Sequence, residues 1–385
     1  MEEWKNIKAC DYCYNVTDGT HDSPKQKESG KYLITSRHIK NNRIDFESAY
    51  KISEDDYNKI ISRSKVNQWD IIISMIGAYC GYCCIESSKQ TDYAIKNVGL
   101  LKVGNELRCK WLYYYLTSPY GKQQLSMLRS GSSQPYISLG ALRNLEIPIP
   151  NREVMSSIVS ILSALDAKIE LNRRINDNLE QQAQALFKSW FVDFEPFKGE
   201  KFMESQLGMI PKGWKVGTLS DLLDIRYGKD HKKLNDGNVP VYGSGGIMRL
   251  ADGILYNGES VLIPRKGTLN NVLYVNWPFW AVDTMFYSIE KVPNVAKYCH
   301  LLLSKLDLAS MNSGSAVPSM TTDILNKIQV IVAKQDVFSS FNKCISSLYL
   351  KAKINLDENK RLSETRDLLL PKLMSGRLII NDLHS

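Results

Sequence analysis

The sequence predicts an α/β protein in which two globular domains are joined by two long helices, antiparallel and of coiled-coil type. Three observations predict it. Similar features recur in the same order in both halves of the chain, at a spacing near 183 residues. Short β-branched runs broken by Gly, Asn, Asp and Pro turns fill residues 1–150 and 208–333. Two stretches, about 151–190 and 334–374, are nearly free of glycine and carry apolar residues at helical steps. The expected divisions are 1–150, a first globular domain; 151–207, the first long helix and a linker; 208–333, a second globular domain; and 334–385, the second long helix and a tail.

The repeat rests on matches in register. Ser130-Gly-Ser-Ser-Gln-Pro135-Tyr-Ile-Ser138 lines up with Ser313-Gly-Ser-Ala-Val-Pro318-Ser-Met-Thr321. Leu142 then matches Leu325, and the strand Ile147-Pro-Ile149 matches Val330-Ile-Val332. Upstream, Trp4-Lys5 pairs with Trp214-Lys215, and Gly77 with Gly267, the spacing drifting from 210 to 183. Within the domains, Trp69-Asp-Ile-Ile-Ile-Ser74 and Glu259-Ser-Val-Leu-Ile-Pro264 read as buried strands, and Lys110 to Thr117 as a helix.

In the first helical stretch Val154, Ile158, Ile161, Leu165, Ile169, Asn172, Ile175, Leu179, Ala183, Leu186 and Trp190 follow mostly alternating steps of four and three. That is a coiled-coil seam with one polar position, Asn172, suited to fixing register. The second gives Val337, Phe341, Cys344, Leu348, Ala352, Leu356, Asn359, Leu362, Leu369 and Leu373, a rougher version of the same pattern. A helix of about 40 residues extends about 60 Å, and alone it would leave its apolar stripe in water. The matching helix of the other half is the expected partner, packed antiparallel.

Composition sets the outer limits. The chain has 385 residues, of which 43% are apolar, 23% charged and 10% aromatic, which excludes wholesale disorder. The uncharged stretch Ile71 to Ile85 falls short of the roughly 20 apolar residues a spanning helix needs. The start, Met-Glu-Glu-Trp-Lys-Asn, shows no basic segment followed by an apolar one. A soluble, cytoplasmic protein without membrane partners is expected. Its net charge of +8 is compatible with a polyanionic partner without demanding one.

The cysteines pose a choice. Cys10-x-x-Cys13 and Cys80-x-x-Cys83, with Cys84 adjacent, have the spacing of two zinc knuckles. The alternative is reduced cysteines serving as small apolar residues. The second half has Ser220, Leu223 and Asn270 where Cys10, Cys13 and Cys80 fall, so a fold that closes without metal in one copy is expected to do so in the other. No metal site is expected.

The junction carries the most specific pattern: Leu186-Phe-Lys-Ser-Trp-Phe-Val-Asp-Phe-Glu-Pro196 ending the first long helix, then Gly208-Met-Ile-Pro-Lys-Gly-Trp214 opening the second domain. Together with the Ser-Gly-Ser-x-x-Pro loops before each long helix, it resembles the specificity subunits of Type I restriction-modification enzymes, over essentially the whole chain. The resemblance implies two variable target-recognition domains alternating with two conserved helical regions in pseudo-twofold symmetry. Each domain would read one half of a bipartite double-stranded DNA target. The helices would set the separation of the halves and dock modification (methyltransferase) subunits, two copies suiting two similar faces, while restriction (endonuclease-translocase) subunits join the assembly. No cofactor belongs to this subunit on that reading; S-adenosylmethionine, ATP and Mg2+ would serve the partners.

Reading duplex DNA needs groups that reach base edges and others that hold phosphates. In the first domain the candidates are Thr20, His21 and Lys25 in Thr17-Asp-Gly-Thr-His-Asp-Ser-Pro-Lys25, then Arg37 and His38, and Arg129, Ser130, Ser132, Ser133, Gln134 and Tyr136 in the Gly-Ser loop. In the second they are Lys229, His231, Lys232 and Lys233, then Tyr242 and Ser244, then Arg265, Lys266, Thr268 and Asn270, and finally Asn312, Ser313 and Ser315. Arg can grip guanine and Gln or Asn adenine, while Gly lets the backbone approach phosphate. Each also has a bland reading: Gly-Ser loops are most often plain turns, basic runs solvated faces, and His21, His38, His231 and His300 structural. The expected seam residues are Ile158, Leu165, Asn172, Leu179 and Leu186 against Phe341, Leu348, Leu356, Leu362 and Leu369.

Catalysis by this chain is not expected. It has no G-x-x-x-x-G-K-[ST] phosphate loop, no Asn-Pro-Pro-aromatic signature, and no G-x-G-x-x-G after a strand. Glu358-Asn-Lys360 looks like a nuclease acid-x-Lys pair but falls in the second long helix, where a surface ion pair is the simpler reading. The alternative function is a coiled-coil scaffold whose globular domains bind proteins; a self-contained nuclease is a third, weaker one.

Overall fold

In each half, a strand near the start of the globular part pairs antiparallel with the strand that hands the chain to a long helix. Lys5–Lys8 pairs with Glu146–Ile149, and Lys215–Thr218 with Gln329–Val332. The computed structural model describes residues 4–40, 42–131, 134–311 and 319–376. It falls into two compact units, Met1–Leu171 with Glu358–Ser385, and Asn172–Asp357.

The first unit holds a four-stranded antiparallel sheet in the order Asn15–Asp18, Val98–Lys102, Asp70–Ser74, Cys83–Ile85. A three-stranded sheet beside it in the chain, Tyr50–Ile52, Lys31–Thr35, Tyr93–Lys96, contains one parallel pair, Lys31–Thr35 with Tyr93–Lys96. The second unit repeats both. Its four strands are Leu223–Tyr227, Met285–Glu290, Ser260–Pro264 and Leu273–Val275. Its three are Gly246–Ala251, Val239–Gly243 and Trp280–Ala281, the last two parallel. Strand order and direction are the same in both units, so the sequence repeat is a repeat of topology.

Burial explains the strands. Asp70–Ser74 and Ser260–Pro264 are buried at every position, as their continuous apolar runs require of central strands. The buried Asp70 carboxylate is compensated by Lys102 Nζ and the Asn67 N–H, each at 2.8 Å. Short helices before each long one start on equivalent caps: Ser138 Oγ accepts from Ala141 N–H, and Thr321 Oγ1 from Ile324 N–H. These positions are separated by the repeat of 183 residues, as are Leu142 and Leu325, both fully buried.

The long helices run Arg152–Phe191 and Gln335–Met374, 40 residues each. They pair antiparallel within each unit. In the first, Ile158 and Leu162 share a core with Leu370 and Leu373, Arg366 donates to Asp166 at 2.8 Å, and Asn359 Nδ2 donates to the Ile169 carbonyl at 3.3 Å. In the second, Asn176 Nδ2 donates to the Ala352 carbonyl at 3.1 Å and Asn176 Oδ1 accepts from Asn355 at 2.7 Å. Farther along, Phe341 packs on Trp190 and Phe191, ring centroids 5.5 and 4.8 Å away. The two asparagine-to-carbonyl bonds are the same bond repeated, since 176 and 359, like 169 and 352, differ by 183.

Most of the expected seam is inward. Ile158, Asn172 and Phe341 are buried; Leu165, Leu179, Leu186, Leu348, Leu362 and Leu369 are half-buried. Leu356 is a correction: it is 56% exposed, and its neighbour Asn355 takes the inward position at 1%. Cys344, also expected inward, is exposed, and Ile345 is buried instead. The acid-x-Lys pair sits on this helix, with Glu358 3.3 Å from Lys168.

Each globular part holds its helices by a polar contact at one repeated place. Tyr114 donates to Asp166 at 2.8 Å in the first unit, and the Tyr349 hydroxyl meets His300 Nδ1 at 2.7 Å in the second, 166 and 349 being equivalent. Burial pushes the His300 pKa down to about 4, so the ring is neutral at pH 7. The junction motif builds an aromatic core: Phe191 against Tyr298 at 4.7 Å, Phe197 against Trp214 at 4.9 Å, with Phe194 left-handed (φ 53°) where the helix ends. Cys13, Cys80 and Cys83 lie in the first core, and burial raises Cys13 and Cys83 to about 12, which disfavours the thiolate a metal needs. Among the described residues no helix is long and apolar enough to cross a membrane.

The corrected helical phase makes a sharp contrast between neighbours. Asn355→Ala should cost about 1–3 kcal/mol, because it leaves the Asn176 carbonyl oxygen without its donor. Leu356→Ala should stay within about 0.5 kcal/mol. Urea unfolding followed by circular dichroism measures both; a larger loss at Leu356 would restore the original seam.

Candidate nucleic-acid interface

Strand register gathers the predicted residues of the first unit at one end of its sheets. Asp18 pairs with Gly99 and Gly99 with Ile73, so two strands end where a third begins; in the other sheet Thr35 ends beside Lys96. The segments that leave this end are 19–25, 36–38 and 75–79. The Gly-Ser loop joins them: Gly77 N–H donates to the Pro135 carbonyl at 2.9 Å, Ile76 bridges Tyr136, and Tyr136 bridges Ser130. Arg129 anchors the loop by donating to the Cys80 carbonyl at 2.6 Å.

Lys25, Arg37, Ser130, Gln134 and Tyr136 are exposed there, Arg37 with its Nε donating to His38 Nε2 at 3.0 Å. His21 is exposed but tethered, its ring nitrogens 2.9 Å from Asn97 Oδ1 and 3.0 Å from Asp18 Oδ2. Thr20 is half-buried, its N–H donating to the Ile95 carbonyl. His38 is a correction. It is fully buried, its Nδ1 accepting from the Thr35 N–H at 3.0 Å, and burial with Arg37 beside it lowers its pKa. Ser132 and Ser133 lie outside the described residues, as do Asn312, Ser313 and Ser315.

The second unit makes the same end from different residues. Tyr227 pairs with Phe286 and Pro264 with Met285, while Tyr242 runs parallel to Ala281. Arg265 and Lys266 continue from there: Met320 N–H donates to the Arg265 carbonyl at 2.9 Å, Lys266 bridges Ser319, and the Arg265 guanidinium lies over the Tyr227 ring at 5.3 Å. Asn271 Nδ2 donates to the Ser244 carbonyl at 2.7 Å, tying the 265–271 loop to the Val239–Gly243/Gly246–Ala251 hairpin. Lys229, Lys232, Lys233, Lys266 and Thr268 are exposed; His231, Ser244 and Arg265 are half-buried.

Two expectations change here. Tyr242 is 5% exposed and belongs to a core with Phe279 and Met285, because its strand is the middle one of three. Asn270 is exposed, but its amide is spent within the chain, donating to Asp307 at 3.1 Å and accepting from Ala309 N–H at 2.9 Å. Other residues at these ends drew no attention in the sequence. Arg63 donates to the carbonyls of Asp18 and Gly19, Lys96 to Ser23, and Arg249 to the carbonyls of His231 and Leu234. The glycines before Thr20 and Lys229 were the available signal. A Cβ on Gly19 would sit 2.3 Å from the Ile95 oxygen, and one on Gly228 2.1 Å from the Val282 oxygen. Both strands cross a neighbour there too closely for any side chain.

The arrangement presents exposed cations, amides and hydroxyls on short loops held by backbone hydrogen bonds, the chemistry that grips phosphates and reads base edges. Among the described residues no group of three or more His, Cys, Asp or Glu side chains is placed to hold a metal ion. Comparison with known proteins bears on the same regions. The model of the Type I restriction modification DNA specificity domain matches residues 1–181 and again 211–337. The chain belongs to this family. Members of the specificity-domain family that it resembles include the Type I restriction enzyme MjaIX specificity subunit of Methanocaldococcus jannaschii, 29% identical over 303 residues, 71% of this chain and 70% of the relative. The HindI specificity subunit of Haemophilus influenzae is 27% identical over 408 residues, 82% of this chain and 88% of the relative. The crystal structure of the S subunit of the Type I restriction-modification system from M. genitalium shares the fold, with a TM-score of 0.56 at 18% identity, covering 96% of each chain.

The tight crossing predicts an asymmetry between two glycines of the second unit. Gly228→Ala should cost about 1–3 kcal/mol or more through the backbone clash, whereas Gly245→Ala, whose Cβ would meet nothing within 4 Å, should be nearly neutral. Thermal unfolding of the two variants checks this, and equal midpoints would count against the geometry of the crossing.

Proposed function

We propose that the chain is the DNA-reading subunit of a Type I restriction-modification assembly, each unit recognising one half of a bipartite target. The observation that carries this is the duplicated sheet end: one scaffold, present twice, offering two different sets of exposed polar and cationic loops. Two half-sites of unrelated sequence call for that combination. Reading two halves also multiplies selectivity, because each mismatch costs about 1–3 kcal/mol, roughly additively.

The long helices, acting as a pseudo-twofold coiled coil, are the spacer on this reading and dock two modification subunits; restriction subunits complete the assembly. The chain is non-catalytic by itself. S-adenosylmethionine, ATP and Mg2+ act in the partners, and the complex works in the cytoplasm. Supporting the non-catalytic role, Glu358, the one nuclease-like acid noted in the sequence, is paired with Lys168 on the helices.

Two experiments test it. Methylome sequencing of cells expressing the chain with its modification subunit should reveal methylation at one discontinuous site, and Gln134→Ala with Tyr136→Ala should relax one half of that site only. A continuous site, or equal loss in both halves, would contradict one unit per half-site. Second, affinity for the target duplex should fall steeply between 50 and 200 mM salt, by about 10³–10⁵ if six to ten phosphates are held. Binding indifferent to salt would favour the protein scaffold.

A further inference from the structure

The second unit exposes apolar side chains where a free-standing sheet would avoid them. Gly246–Ala251 is the outer strand of its sheet, and on it Ile247 is 60% exposed, Met248 59% and Leu250 36%. Outer strands ordinarily carry charge or proline against unwanted pairing. The register shifts between Val241 and Tyr242, leaving Met248 as the unpaired residue of a bulge, so Ile247 and Met248 both stand out beside the tip of the hairpin. The tip itself is bare. A Cβ on Gly245 or Gly246 would meet nothing within 4 Å, and Gly246 has φ +109°.

The flanks of the hairpin are cationic and fixed to it. On one side Arg249 of the same strand donates to the carbonyls of His231 and Leu234, holding the loop that bears exposed Lys232 and Lys233. On the other, Asn271 holds the loop with exposed Lys266 to the Ser244 carbonyl. Exposed acids accompany them and are partly engaged within the chain, Asp236 3.5 Å from Arg249 and Asp252 accepting from Asn235, with Asp230 and Asp283 also exposed. An apolar tip between two lysine-bearing loops matches a surface whose walls are anionic and whose floor has apolar spots. The DNA major groove is such a surface: it admits a two-stranded β-ribbon, phosphates line its rims, and thymine C5-methyl groups stud its floor.

We propose that the Val239–Gly243/Gly246–Ala251 hairpin enters the major groove of the second unit's half-site and reads thymine through Ile247 and Met248. This rests on the DNA-recognition reading above. Lys232, Lys233 and Lys266 then hold the phosphates on either side, and the glycine tip lets the backbone approach the bases. A second copy of the chain pairing along this outer strand is disfavoured, because the same lysines would face one another.

The test uses the chain assembled with its modification subunits and duplexes carrying the mapped site, with thymines replaced one at a time by deoxyuridine, which lacks only the methyl group. Replacement at one or two positions of one half should weaken binding about fourfold each. The I247S/M248S variant should bind thymine and uracil duplexes equally while keeping its selection in the other half. Both side chains are exposed, so the variant should fold, and the deoxyuridine arm needs no variant at all. The proposal is overturned if no uracil substitution weakens the wild-type complex, or if the variant still discriminates. It is also overturned if the wild-type chain sediments as a dimer that the variant dissolves with DNA selection intact. Absence of any sequence-selective binding by the wild type would instead remove the DNA-recognition reading itself.

Discussion

A helix of 40 residues with one apolar face cannot stand alone in water, and this chain contains two. Their antiparallel pairing is the constraint on which the remaining structure depends. In each unit the paired segments bury large side chains together with the globular part: Ile158, Leu162, Leu370 and Leu373 in the first core, Phe187, Phe191, Phe338 and Phe341 in the second. Apolar burial alone would tolerate sliding of one helix along the other. Hydrogen bonds from Asn176 to Ala352 and from Asn359 to Ile169 do not, since a shift of one turn would leave polar groups unpaired in a largely apolar contact.

The repeat was legible where this constraint operates. From the caps Ser138 and Thr321 through the whole of both helices, the offset between equivalent positions stays at 183, because an insertion in a helix would turn its whole inward face away from its partner. Before the caps it drifts. The first unit places Ser36–His38 and the short strands Ile39–Lys40 and Arg43–Ile44 after its Lys31–Thr35 strand, where the second turns directly through Ser244 into an outer strand. These connections changed length without altering the order of the seven strands they connect, the inserted turn of the first unit burying His38 and packing Ile39 into its own small core.

What the sequence concealed follows from the same physics. Leu356 looks like a seam residue and Asn355 like a surface one, yet the asparagine is inside because its partner, Asn176, is a side chain 179 positions away. Apolar periodicity cannot detect a polar pair. His38 and Tyr242 were plausible DNA contacts by residue type, but each belongs to a locally buried turn or central strand, decided by neighbours remote in the chain. Conversely, Gly19 and Gly228 are more constrained than the glycines of the Gly-Ser loops that first drew attention, because backbone oxygens from another strand occupy the space of their missing Cβ atoms.

The scaffold and its loops therefore answer to different pressures. Central strands such as Asp70–Ser74 and Ser260–Pro264 are buried on both faces, so a change there is felt throughout a unit. Several anchors of the loops at the sheet ends are main-chain hydrogen bonds, Gly77 to Pro135, Met320 to Arg265 and Lys229 to Ala281, while a few side chains placed off the displayed surface, such as Arg63 and Asn271, supply the others. An anchor made by the backbone is indifferent to which side chain it carries. Residues at those ends can then be exchanged wholesale, a tyrosine-glutamine surface in one unit and a lysine-rich, apolar-tipped one in the other, at little cost to the fold. A protein that must read two unrelated half-sites with one duplicated architecture needs that separation between what holds the loops and what the loops display.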